Sequence, residues 1–235
     1  LSLKQNTRKS PEPSRSRFLR RLGHEFADGD LLTQALTHRS AGRQNNERLE
    51  FLGDGLLNCV IAAELFRHCP EAAEGDLSRL RASLVRESTL AELAAELSLS
   101  AYLKLGPGES GSQRRASVLA DAFEAVLGAI YLDAGFKRVE EVIKTLFAER
   151  LRQLPDPETL KDPKTRLQEH LQAQARPLPE YSLIESSGPA HKKHFLIACQ
   201  IPGEAGRAEG AGSSRRKAEQ AAALALLTQL LEDSD

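Results

Sequence analysis

The hydrophobic period changes once along this chain, and the change limits its architecture more than any other feature. From Phe18 to about Leu154 apolar residues recur at three- and four-residue spacing, in Asp30–Leu36, Arg48–Phe66, Ser78–Leu97, Ser117–Leu132 and Val139–Leu154. That is the pattern of amphipathic helices. Beyond about Ala175 the period becomes two: Tyr181 and Leu183, then Phe195, Ile197 and Cys199, alternate with other side chains as strands do. A length of 235 residues allows two cores. The expectation is a multidomain chain, with an all-α domain over residues 17–154 and an α+β domain over residues 163–232. Residues 155–162, PDPETLKD, are rich in proline and charge and read as an exposed linker.

Punctuation agrees with the period. Pro70 follows the first long helix, Gly106-Pro107-Gly108 precede the fourth, and Asp133-Ala134-Gly135 end it. In the second domain Asp162 suits an N-cap and Pro163 the first helical position. Gly188-Pro189 turns between two strands, a third lies around Ala205–Gly212, and a last helix, capped by Ser213 or Ser214, runs to Leu231, giving the order α-β-β-β-α. Residues 1–16, with two prolines, four serines and no apolar periodicity, read as a disordered basic tail.

The net charge of -1 conceals segments of +6 over residues 1–22, -7 over 23–162, +3 over 163–231 and -3 over the last four. An acidic middle beside basic flanks suits a site that collects divalent cations next to surfaces that collect phosphates. No stretch approaches the roughly 20 apolar residues that cross a bilayer, and the N-terminus lacks a signal-peptide core. We therefore expect a soluble, cytoplasmic protein without a membrane partner. Cys59, Cys69 and Cys199 lack metal-ligand spacing and read as reduced core thiols, so nothing supports zinc.

Glu47, Glu50 and Asp54 stand at i, i+3 and i+7 and share one helix face. Leu49, Phe51 and Leu52 beside them imply that the acids interrupt packed surface. Asp121 and Glu124, at i and i+3 among Val118, Leu119, Phe123, Val126 and Leu127, form a second pair. Two carboxylates 5–6 Å apart repel by about 3 kcal/mol at an effective dielectric near 20, so such a cluster calls for a cation. Mg2+, a hard ion with oxygen ligands, fits, and could activate water for phosphodiester hydrolysis. Taken singly, each acid could be a surface charge paired with Arg48, Arg79, Arg81 or Arg115. Helical nucleoside-triphosphate pyrophosphohydrolases also hold magnesium on acidic helix pairs, so spacing alone leaves the substrate open.

Asn46–Asp54 reads NERLEFLGD, and this segment resembles the signature of the ribonuclease III family. The likeness continues through Leu36–Ser40 (LTHRS), Glu74–Arg81 (EGDLSRLR), Gly106–Glu109 (GPGE) and Ser117–Asp133 (SVLADAFEAVLGAIYLD). The resemblance implies that Glu50, Asp54, Asp121 and Glu124 hold Mg2+, with manganese as a substitute. It places Asp54 and Glu124 closest to the chemical step and has Glu47 and Glu74 help shape the cleavage site. Gly55 stands where the family more often has serine or alanine, and Ser110–Arg115 is shorter than the corresponding loop of many relatives.

The second domain resembles the double-stranded-RNA-binding domain, above all in Gly212–Ala222, GSSRRKAEQAA. Arg215, Arg216 and Lys217 at a helix N-terminus join cationic charge to free backbone N–H groups behind Ser213 and Ser214. The resemblance adds Thr165, Gln168 and Glu169 on the first helix and Pro189, Ala190 and His191 in the first turn. Helix and turn would meet successive minor grooves of double-stranded RNA, with the cations on phosphates between them. The implied function is hydrolysis of both strands of an RNA duplex, leaving 5′-phosphate and 3′-hydroxyl ends with short 3′ overhangs, by a homodimer with one site per subunit. Ribosomal RNA precursors are the targets that the resemblance suggests. A non-catalytic duplex binder should have lost some of these carboxylates, and a pyrophosphohydrolase leaves residues 163–231 without a purpose.

Overall fold

The computed structural model describes residues 15–107, 112–189 and 192–232. It divides into two compact units at Pro155/Asp156. Among its described residues the first is helical apart from an isolated bridge between Thr37 and Lys104: α1 (Arg15–Leu22), α2 (Gly29–Ala35), α3 (Glu47–His68), α4 (Glu74–Val85), α5 (Glu87–Glu96) and α6 (Ser112–Arg152). Within α6, Gly135 takes φ 79° and ψ 178°, which no helix accommodates, so the expected break after Leu132 is a kink between two helical segments. The expected Ser78–Leu97 helix is two helices. Arg86 is extended there, and the buried Thr89 hydroxyl donates to the Ser83 carbonyl at 3.0 Å, holding the corner.

The core lies where α3 runs against α6, with α2 and α5 packed on α6 and α4 beside α3. Leu57, Ile61 and Leu65 of α3 and Phe123, Leu127, Ile130 and Phe147 of α6 are all fully buried. Buried Glu64 ties α3 to the far half of α6, meeting Lys144 Nζ at 3.1 Å and Arg67 and His68 on its own helix. Lys144 and Arg67 outweigh the burial that would raise its carboxyl, and hold it low. Asp133, just before the kink, accepts from the backbone N–H groups of Ala27 and Asp28 at 3.2 and 2.9 Å, with His24 Nε2 at 2.9 Å.

Three expectations need correction. Arg15 and Ser16, assigned to the tail, begin α1, because Phe18 and Leu22 are buried and the Arg15 guanidinium reaches the Gly29 carbonyl; residues 1–14 lie outside the described residues. Cys59 is exposed and Cys69 half-buried, so only Cys199 is a core thiol. Phe51, expected to be packed, is 84% exposed, and Phe66 on the same helix is 72% exposed.

The second unit is an antiparallel sheet in the order β1 (Glu180–Ser187), β2 (His194–Gln200), β3 (Arg207–Gly212), flanked by α7 (Pro163–Ala173) and α8 (Arg215–Glu232). Leu167 and Leu171 of α7 and Ala222, Ala223, Leu226 and Leu227 of α8 pack on Cys199, Ile201 and Ala208. A bulge between Leu183 and Glu185 shifts the register of β1. Part of the expected linker is ordered as a short 3₁₀ turn, Pro157–Leu160. The Asp156 side chain accepts from Glu158 N there, and Lys161 pairs with Glu158 and Glu169.

Candidate active site and nucleic-acid interface

Two glycines decide how the acids meet. Gly53 lies between Glu50 and Asp54 on α3, and Gly128 lies one turn beyond Glu124 on α6. A Cβ on Gly53 would fall 1.8 Å from the Glu124 carbonyl oxygen, and one on Gly128 would fall 2.2 Å from that of Leu49. The helices therefore cross backbone against backbone, an approach that only glycine allows. Beside the crossing, carboxylate oxygens of Glu50, Asp121 and Glu124 lie within 4.8 Å of one another.

The electrostatics show what this proximity costs. Burial first, then the charges of Asp54, Glu50 and Asp121, push Glu124 up to about 8. Burial also raises Glu50, with Asp121, Glu47 and Asp54 adding to it against Arg39. Asp121 is raised by burial and by Glu87, opposed by His38 and Arg39. Three hard oxygen donors short of positive charge are the donor set that a divalent cation such as magnesium takes.

Asp54 stands apart from this trio. It is exposed, and its Oδ1 accepts from Asn58 Nδ2 at 2.7 Å, yet its charge still reaches Glu50 and Glu124. Glu47 faces Arg39 at 3.5 Å and lines the mouth of a cleft of about 450 Å³ that also touches Glu50 and Asp121. Glu74, in the first turn of α4, accepts from the Ser78 hydroxyl at 2.8 Å and is not gathered with the trio. The sequence reading gave no role to His38, Arg39, Asn46 and Ser117, which line the same cleft. All four fall inside the family-like motifs, but those motifs are far apart in the chain, and only the fold brings them round one cleft.

In the second unit the N-termini of α7 and α8 are neighbours. Asp162 caps α7 at Lys164 N (2.9 Å), and its other oxygen receives Gln220 of α8. Ser214 Oγ accepts from Lys217 N at 3.2 Å, so Ser214 rather than Ser213 caps α8. Arg215, Arg216 and Lys217 project into solvent, Arg215 near Glu219 at 3.3 Å and Arg216 no closer than 3.9 Å to Asp162. Thr165, Gln168 and Glu169 are exposed on α7, where Glu169 holds Lys161 at 2.7 Å. Pro189 is exposed after β1, and Ala190 and His191 lie outside the described residues, as do Gly108–Gly111.

An oxygen-donor centre on crossed helices, in a chain that also carries an α-β-β-β-α unit with a cationic helix end, defines a metal-using nuclease with a duplex-binding module. Residues 28–151 match the family model described as ribonuclease-III-like, and residues 163–230 the double-stranded RNA binding motif. Ribonuclease 3 of Alkalilimnicola ehrlichii is 56% identical over 212 residues, 89% of this chain and 93% of that one. Ribonuclease 3 of Dechloromonas aromatica is 56% identical over 214 residues, 90% and 96% of the two. A crystal structure of the ribonuclease III nuclease domain of Campylobacter jejuni, 39% identical, matches 60% of this chain and 99% of its own with a TM-score of 0.56. The chain belongs to the ribonuclease III family. It is accordingly an endonuclease of double-stranded RNA, in a family that uses a divalent metal. Among the described residues no helix is long and apolar enough to cross a membrane.

Proposed function

We propose that this protein hydrolyses phosphodiester bonds in both strands of an RNA duplex, with Mg2+ and water, leaving 5′-phosphate and 3′-hydroxyl ends with short 3′ overhangs. The observation that carries this reading is the trio Glu50, Asp121 and Glu124 within 4.8 Å, with Glu124 pushed up to about 8 by burial and by the neighbouring carboxylates. These three, with Asp54 beside them, would hold the metal, and manganese would substitute. A divalent ion there supplies a more acidic water and charge compensation for the leaving 3′ oxygen. Exposed Asp54 and half-buried Glu124 are the acids assigned closest to the reacting phosphate. Glu47 and Glu74 guide the strand toward them. On the second unit, Thr165, Gln168 and Glu169 with Pro189 and His191 read the minor grooves, while Ser213, Ser214, Arg215, Arg216 and Lys217 hold phosphates.

Cutting two strands needs two centres, which we assign to a homodimer whose two-fold axis matches that of the duplex. The exposed Phe51 and Phe66 on α3 favour a partner copy. A second C. jejuni nuclease-domain structure, 41% identical over 57% of this chain and 95% of that one (TM-score 0.54), is described as flexible in a region involved in dimer formation. Ribosomal RNA precursors and other structured cytoplasmic transcripts are the targets this reading favours. The test is a gel assay of a labelled RNA duplex, the matching DNA duplex and single-stranded RNA, each with magnesium and with chelator. Magnesium-dependent cutting of the RNA duplex alone is expected. Binding without cutting, or hydrolysis of nucleoside triphosphates in its place, would overturn the reading.

A further inference from the structure

The cleft beside the carboxylates holds a buried group that the metal does not explain. Asn46 occupies the N-cap position of α3, where asparagine ordinarily bonds the first free N–H groups of its helix. It makes no such bond: its backbone is helical, at φ -84° and ψ -13°. The residue is 1% exposed and lines the cleft, and its Nδ2 has no hydrogen-bond partner. Unpaired buried donors are rare because they forfeit hydration without replacement.

A second donor lines the same cleft. His38 Nδ1 lies 3.2 Å from the Ser40 backbone N–H, which can only donate, so Nδ1 accepts and the ring proton sits on Nε2. The Ser40 hydroxyl, 2.7 Å from Nδ1, accepts in turn from Gly106 N at 2.8 Å, fixing the ring. The same cleft is lined by the acceptors Glu47, Glu50 and Asp121. Arg39, the guanidinium among the lining residues, already faces Glu47.

A ligand here must accept from Asn46 and donate to a carboxylate without adding charge. A phosphodiester fails, because it has no hydrogen to donate to the carboxylate. A hydroxyl meets both demands, and within an RNA strand the sugar–phosphate backbone offers one kind, the ribose 2′-hydroxyl. We propose that the cleft seats a 2′-hydroxyl of the strand being cut, with Asn46 Nδ2 donating to its oxygen and Glu47 or Glu50 accepting its hydrogen. Asn46 is then a specificity-determining positioning residue for ribose over deoxyribose at the cleavage centre. The proposal rests on the phosphodiester-hydrolysis reading above.

The test couples a substrate change to a protein change. RNA duplexes with one 2′-deoxynucleotide, stepped through the positions flanking the cut, are assayed with the wild-type chain and with Asn46→Ala. One position should slow the wild type about tenfold or more, the effect of one buried hydrogen bond on a barrier. Asn46→Ala should slow the all-ribose duplex comparably and then show no further penalty at that position. Asn46→Leu, which keeps the branched shape and removes the donor without adding a charge, serves if the alanine variant does not fold. Absence of any sensitive position in the wild type, or equal penalties in wild type and variant, overturns the proposal. So does loss in the variant of a methylphosphonate penalty, which would place a phosphate in the cleft. Failure of the wild type to cut the all-ribose duplex removes the underlying reading and this one with it, whereas cutting without coupling removes this one alone.

Discussion

At Glu124 burial and the charges of Asp54, Glu50 and Asp121 push the carboxyl up to about 8, and its own negative charge is one of those proposed to hold the metal. Glu124→Gln keeps the shape and removes that charge. Cleavage should fall by about a thousandfold or more, while duplex binding by gel shift stays close to wild type. Asp133 presents the opposite balance. Burial would raise its carboxyl, but the N–H groups of Asp28 and Ala27 and the His24 ring outweigh it and hold it below its ordinary value. Asp133→Ala removes a charged acceptor from two backbone N–H groups and the His24 ring and should cost about 1–3 kcal/mol in urea unfolding at neutral pH. Since the folded pKa is the lower one, this stability is fully present above the unfolded value near 4 and fades as the pH falls through the folded value, so the two chains should converge in acid. That Asp121 and Glu124 share one helix face could be read directly, because a helical period places side chains on faces; the distance from them to Glu50, on another helix, could not. The rotation of Asp54 toward Asn58 could not, since it depends on a rotamer, nor could the anomaly at Asn46, whose type alone suggests an ordinary cap.

At the scale of elements, α3 carries two glycines two positions apart whose fates should differ sharply. Gly53→Ala drives a methyl into the backbone of α6 and should cost about 3 kcal/mol or more, with loss of magnesium-dependent cutting. Gly55→Ala meets nothing within 4 Å and should stabilise the helix by about 1 kcal/mol in thermal unfolding, with cutting unchanged. The sequence marks both as equal helix weakeners, since a local pattern is blind to what lies across the crossing. The helical class of the first unit and the strand order of the second were both legible from the hydrophobic period. The corner at Arg86 was not, because the apolar spacing of α4 and α5 continues in phase through it and a buried threonine bond makes the turn. Phe51 differs for a similar reason: an aromatic in an apolar run counts as core until the fold turns it outward.

Across the whole molecule the chemistry and the duplex grip lie on separately folded units, so they should respond to different perturbations. Arg215→Ala with Arg216→Ala should weaken duplex binding and reduce its salt slope by about one for each phosphate no longer neutralised. Titration of affinity against salt checks this, and an unchanged slope would remove the two arginines from the interface. The first unit should respond differently to damage. At Gly53 and Gly128 the distance between α3 and α6 is set by main chain on main chain, as a pin sets the distance at a hinge whatever its leaves do. Loosening the far ends of these helices swings them about that fulcrum and barely changes the spacing of the acids beside it. A core substitution distant from the crossing therefore thins the population of working molecules without slowing the survivors, and titrating active centres would find fewer of them, each turning over at the undamaged rate.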